Sequence, residues 1–253
     1  ETAEFFKVFA PGKTPPPWWE QVLWRWYDAT IYSANLANLP LVAYSGEKDG
    51  QKQAADIMLR FAEKEGLNFP HIIGAEMGHK YDAPSKEKIN AFLDETLAEV
   101  RSQRRAGDRI RFTTYTSIYS DADWLRVDTL EKQWERADVD AHFVSDDELQ
   151  VKTKGVTGLT LRVPGDAKIT IDGTQMPRAA AQLKELYFRK LNGKWQTGRQ
   201  PLPSQALQKQ VGSCGPVDHA FMSRFVMVRP TGKPMTETVG NWVNSELAHA
   251  TDF

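Results

Sequence analysis

The chain has 253 residues, 41% hydrophobic and 26% charged, which suits a folded globular protein with a real core and one or two domains. Its 33 acids against 32 Lys plus Arg give a formal net charge of −1, so there is no electrostatic footprint for nucleic acid or an anionic membrane. The single cysteine, Cys214, excludes an intrachain disulfide and a Cys-based zinc site, and no apolar run approaches the ~20 residues of a membrane span. Glu1 is not an initiator Met and no signal peptide follows it, as expected of a chain that begins after processing or of a fragment.

Residues 1–40 are irregular and aromatic. The breaker cluster Gly12–Pro17 predicts an extended loop. The following stretch carries Trp18, Trp19, Trp24, Trp26, Tyr27 and Tyr32. Its loose helical period fits a pair of helices covering a sheet, with an aromatic wall over a substrate pocket as the alternative.

From Pro40 the pattern becomes regular. Leu41–Tyr44 reads as a strand buried on both faces, followed by an acidic turn between Gly46 and Gly50. Residues 51–65 place Ala54, Ala55, Met58, Phe61 and Ala62 on one helical face, and Gly66 is a C-terminal stop. Phe69–Ile73 reads as a second strand, with a turn over Gly74–Tyr81. Residues 84–103 set Ile89, Phe92, Leu93, Leu97 and Val100 in a stripe, with Pro84 in the first turn of the helix. Strand, helix, strand and helix with short links predict a parallel βαβα unit, and two strands alone expect neighbours.

After Gly107 the period changes to two. Alternation at Ile110, Phe112 and Thr114, and then at Leu125, Val139, Leu149, Leu159 and Ile169 with their partners, predicts an antiparallel sandwich or open barrel over about 108–200. Asn192-Gly193 marks a tight hairpin within it. Charged residues near Arg104–Asp108 form the boundary. Residues 196–217 read as loop, Phe221–Val228 as a strand and 236–249 as a helix, an α/β unit cut short.

The chemistry concentrates at two turns. Asp49 lies just past the C-terminal end of the first strand, where open α/β sheets place ligand-facing groups. Glu47 shares the turn. Either acid can orient a histidine, and Asp49 can instead cap the helix near Gln51. His79 follows the next strand, with Gly78 beside it allowing a close, sharp turn. An acid and then a His on consecutive parallel strands match the end of the Ser, acid, His order of α/β-hydrolases. Ser45 stands on the wrong strand for a nucleophile, and Ser213 lacks a strand–turn–helix setting. Cys214 with His219, Asp218 with His219, and Glu76 with Asp82 near His79 all lack the spacing of a reactive pair or a metal site.

The stretch LVAYSGEKDGQKQAADIMLRFAEKEGLNFPHIIGAEMGHKY resembles the C-terminal part of a prolyl-oligopeptidase-like α/β-hydrolase domain. More narrowly, the chain is similar to large bacterial serine peptidases of planctomycete type. They share the segments read here as Gly215-Pro216-Val217-Asp218-His219-Ala220-Phe221 and Phe225-Val226-Met227-Val228-Arg229-Pro230-Thr231-Gly232. The resemblance implies Asp49 as triad acid and His79 as triad base. It departs from the family in one respect: no Gly-x-Ser-x-Gly occurs in residues 1–253, and in the family that nucleophile lies upstream.

The expected fold is thus α/β plus all-β: part of an α/β-hydrolase over 1–106, a β-sandwich-like domain over 107–205, and a linker with a truncated α/β segment over 206–253. The expected activity is that of part of a serine hydrolase acting on a peptide or ester. Trp18, Trp19, Trp24, Trp26 and Glu76 would line its pocket. No cofactor or metal is implied, and the protein is expected to be periplasmic or secreted. An upstream fragment carrying the Ser is an expected partner. The alternative is a non-catalytic protein on a degenerate hydrolase scaffold, binding carbohydrate or a partner.

Overall fold

A computed structural model describes residues 2–102, 109–198 and 231–251, with Lys209, Cys214, Gly215, Met222, Arg224 and Val226. Contacts divide the chain into two compact units, Glu1–Cys214 and Gly215–Phe253. The first holds both the α/β half and the β-rich half.

The aromatic N-terminal segment forms short pieces in place of a helix pair. Helix α1 spans Thr2–Phe9 and α2 spans Trp18–Leu23, followed by 3₁₀ segments at Trp24–Trp26 and Ala29–Asn38. Strand β1 (Ala43–Gly46) then pairs in parallel with β2 (His71–Gly74), and helix α3 (Gln53–Lys64) crosses between them. Both strands start two residues later than the apolar runs suggest. Pro70 has no amide hydrogen, so the ladder begins at His71, and parallel register sets Ala43 opposite it. Helix α3 buries Ile57 and Ala62. It ends as expected at Gly66, with φ +71°, where Leu67 N–H reaches Ala62 O at 2.9 Å and Gly66 N–H reaches Glu63 O at 3.0 Å.

Helix α4 (Ala83–Ser102) follows. Asp82 accepts the Ser85 N–H at 2.7 Å and caps it. The expected apolar stripe of α4 is covered only in part: Ile89 and Phe92 are half-buried, but Leu93 is 47% and Leu97 is 52% exposed. The β1–β2 sheet has only two strands among the described residues, and Ile73 is 40% exposed. Leu41, Val42, Ala43 and Tyr44 are each only half-buried, so burial of the first strand on both faces is not met.

The β-rich half is a sandwich of two five-stranded sheets. One has the order β10-β9-β7-β6-β3, from Thr174–Gln175, Lys168–Ile171, Glu148–Lys154, Ala137–Ser145 and Arg109–Thr114. The other has the order β12-β11-β8-β5-β4, from Lys194–Thr197, Leu186–Leu191, Val156–Leu161, Leu125–Leu130 and Asp121–Ala122. Alternating apolar residues face inward from both, among them Phe112, Val127, Leu149, Leu159, Ile171 and Phe188. Not every pair is antiparallel: β7 and β9 run parallel, because the chain visits the opposite sheet as β8 between them. The Asn192-Gly193 hairpin forms as expected, with φ +49° and +76°, and Asp172-Gly173 makes a second turn of the same kind with φ +48° and +79°.

Polar side chains join the two halves. Asn35 and Asn38 sit three apart on the longer 3₁₀ segment, where residues i and i+3 eclipse about 6 Å apart, close to the two-residue repeat of a strand. Each presents its amide to edge strand β3 as a neighbouring strand would. Asn35 donates to Thr113 O at 3.0 Å and accepts from Thr113 N–H at 2.6 Å. Asn38 does the same with Arg111, at 2.8 and 2.9 Å. The exposed edge of that sheet is thus closed without a strand. Beyond it, Arg136 forks onto the Glu65 carboxylate at 2.7 and 3.1 Å, holding that carboxyl below the usual range.

In the second unit, the expected helix is present as α5 (Glu237–Thr251). Most of the strand expected at 221–228, the boundary near 104–108, and residues 216–220 with His219 lie outside the described residues.

Candidate active site

The two turns of interest leave β1 and β2 at the same sheet end, because parallel register places Gly46 beside Gly74. They are sewn together by backbone: Glu47 N–H donates to Gly74 O at 2.9 Å and Lys48 N–H to Met77 O at 2.8 Å. A Cβ on Gly46 would fall 2.1 Å from Gly78 O and 2.4 Å from Met77 O. The second turn therefore crosses directly over Gly46. A Cβ on Gly78 would meet nothing within 4 Å, so the close approach expected at Gly78 depends on Gly46 instead.

This closeness brings the two predicted residues together. Asp49 Oδ2 lies 2.9 Å from His79 Nδ1, and Asp49 Oδ1 accepts the Gln51 N–H at 2.8 Å. The helix-capping reading of Asp49 is not met, because α3 starts at Gln53 with Lys52 before it; the Gln51 bond belongs to the turn, and the other oxygen meets His79. The Gln51 N–H, followed by His79, holds the Asp49 carboxyl below its ordinary range. An ionised carboxylate only accepts, so His79 Nδ1 carries the hydrogen. In the neutral ring Nε2 is then the basic nitrogen. The Asp49 side chain is 12% exposed and that of His79 78%, so the acid is enclosed and the base faces solvent.

Glu47 does not orient His79: its carboxylate accepts the Glu76 N–H at 2.8 Å. Glu76 has φ +59° and pairs with Lys48, which puts it at the rim of the dyad. Tyr44 fixes the far side of the His79 loop, donating to Lys80 O at 2.8 Å and stacking on Tyr81 at 4.4 Å. Neither Tyr44 nor Gly46 was singled out by sequence, since each acts through contacts between strands. Asp82 faces α4 and not His79. Among the described residues no group of three or more His, Cys, Asp or Glu is arranged to hold a metal.

Two of the four tryptophans are engaged elsewhere. Trp24 packs on Phe6 at 5.7 Å, and Trp26 packs edgewise on Trp134 at 5.0 Å and on Tyr119 at 5.6 Å, both in sandwich loops. Trp18 and Trp19 are 75% and 55% exposed. None of the ring contacts of these four among the described residues is with Asp49, Glu76 or His79. A cleft of about 250 Å³ lies away from the dyad, between the longer 3₁₀ segment and the sandwich, lined by Ala34, Arg111, Arg136, Asp138 and Lys152 among others. No family model, curated protein or solved structure matches this chain.

Proposed function

We propose that this chain supplies the acid and base of a serine hydrolase of α/β-hydrolase type, with the nucleophilic Ser contributed by residues outside it. The Asp49–His79 contact, with Nδ1 as donor and Nε2 exposed, carries this reading. In such a site His79 Nε2 takes the proton of the Ser hydroxyl as its oxygen attacks the acyl carbon of a peptide or ester. The same nitrogen returns the proton to the leaving group. Water then repeats the attack and releases the acid, with His79 again taking and returning a proton. Asp49 holds the tautomer and stabilises the imidazolium.

Two further observations support a contribution from outside. The β1–β2 sheet has open edges among the described residues, and the stripe of α4 at Leu93 and Leu97 is exposed. Further parallel strands would cover both. A periplasmic or secreted location goes with the same proposal. The opposing reading is a binding protein on a hydrolase scaffold that has lost its chemistry, and the lack of any Gly-x-Ser-x-Gly in residues 1–253 favours it. Native and intact mass spectrometry of the protein from its source separates the two. A Gly-x-Ser-x-Gly segment, covalently attached or retained as a second piece, is the expected result. A 28.6 kDa chain with nothing bound would overturn the proposal.

A further inference from the structure

A second Ser, His and Asp set lies beneath the dyad. Ser45 Oγ is 3.0 Å from His71 Nε2, and His71 Nδ1 is 3.3 Å from Asp56 Oδ1. Asp56 Oδ2 in turn accepts from Lys52 Nζ at 2.9 Å. Atom for atom this is the arrangement of a nucleophile, a base and an orienting acid.

Its surroundings forbid that chemistry. Ser45 is 6% exposed and the His71 side chain 9%. Ser45 and His71 point from neighbouring strands to the α3 side of the sheet, where Asp56 meets them. An acyl carbon must come within about 3–3.5 Å of the attacking oxygen, and a buried mid-strand hydroxyl gives it no approach.

The position of the set suggests another role. Ser45 stands four residues before Asp49 and Lys52 three residues after it. His71 opens the strand that leads to the His79 loop. Contacts from Ser45 through His71 and Asp56 to Lys52, hydrogen bonds at Ser45–His71 and Lys52–Asp56 with a 3.3 Å His71–Asp56 contact between them, therefore close a ring around the acid turn, tying it to β1, β2 and the first turn of α3. We propose that Ser45, His71 and Asp56 are positioning residues that hold the Asp49 turn where its carboxylate meets His79.

This deepens the reading of Asp49–His79 as acid and base, but its test needs no nucleophile. The readout is the imidazole ¹⁵N spectrum of His79 in the 253-residue chain. Wild type is expected to show the Nδ1–H tautomer that Asp49 selects. His71→Ala is expected to lose that signature and revert to the Nε2–H form usual for a free imidazole, while the amide pattern of 109–198 is unchanged. Ser45→Ala, which removes one oxygen and leaves the strand intact, is expected to weaken it in the same direction. An unchanged His79 signature in a folded variant of either kind overturns the positioning role. So does attachment of a fluorophosphonate probe to Ser45, which would make that residue a nucleophile. Failure of the intact protein to hydrolyse any acyl substrate would leave the spectra unaffected, so the two proposals fail separately.

Discussion

Gly46→Ala is the smallest change that should part the acid from the base. The new methyl would lie 2.1 Å from Gly78 O and 2.4 Å from Met77 O, both backbone atoms and well inside the 3.0 Å that real Cβ contacts essentially never undercut. The 77–78 backbone must therefore retreat by about 1 Å, the kind of overpacking that costs about 1–3 kcal/mol. A retreat of about 1 Å takes the 2.9 Å Asp49–His79 contact and the 2.8 Å Lys48–Met77 bond outside hydrogen-bond range. Misplacement of that size is worth about 10²-fold in rate where the geometry is catalytic. Two NMR observables report it directly: hydrogen-exchange protection of the Lys48 amide and the tautomer of His79. Both should be lost in Gly46→Ala. Gly78→Ala is the control, because its Cβ meets nothing within 4 Å, and both observables should survive. Equal effects of the two substitutions, or none from Gly46→Ala, would refute the proposed crossing of the turns.

Other perturbations follow from the same structure. The Asp49 carboxyl should titrate below the ordinary value of about 3.9 by ¹³C NMR, so its contribution to stability is present above that pH and lost as the pH falls through the depressed value. His79→Ala should raise its midpoint only part of the way, because the Gln51 N–H remains. Asp172 accepts from Thr153 N–H and Oγ1 and from Trp195 Nε1, each at 2.7 Å, and from Lys190 Nζ at 3.4 Å, so Asp172→Ala strips all four bonds and leaves alanine at φ +48°. Urea unfolding of that variant should show a loss of about 3 kcal/mol, and Asp172→Asn, which tolerates the turn, a smaller loss. Asn38→Asp keeps the acceptor for Arg111 N–H but cannot donate to Arg111 O, and should cost about 1–3 kcal/mol. Light scattering should then detect association through the uncovered β3 edge.

Period and turn chemistry made much of this fold legible. Alternation at Ile110 and Phe112, Leu149 and Val151, and Leu159 and Leu161 marks strands that do bury those residues, and Asn192-Gly193 turns where expected. The pairing of Asp49 with His79 was open to sequence reasoning because strand ends in a parallel unit bring consecutive turns together. Local pattern does not carry contacts between distant segments. The Asn35 and Asn38 amides act as a strand only because β3 lies beside them, and Gly46 matters only because Gly78 crosses it. Trp26 and Trp134 find each other over more than a hundred residues, so the docking of Trp26 against the sandwich is not legible in the aromatic run itself. Ser45 and His71 face the same side through strand register, which no spacing rule in the sequence announces.

Fluorophosphonate labelling of the intact protein from its source decides whether His79 serves a nucleophilic serine. A serine outside residues 1–253 should be labelled covalently, with labelling abolished by His79→Ala and slowed by about 10³–10⁴-fold by Asp49→Asn, which presents the wrong tautomer. A folded intact protein that takes up no label, or one whose labelling is indifferent to His79, would contradict it.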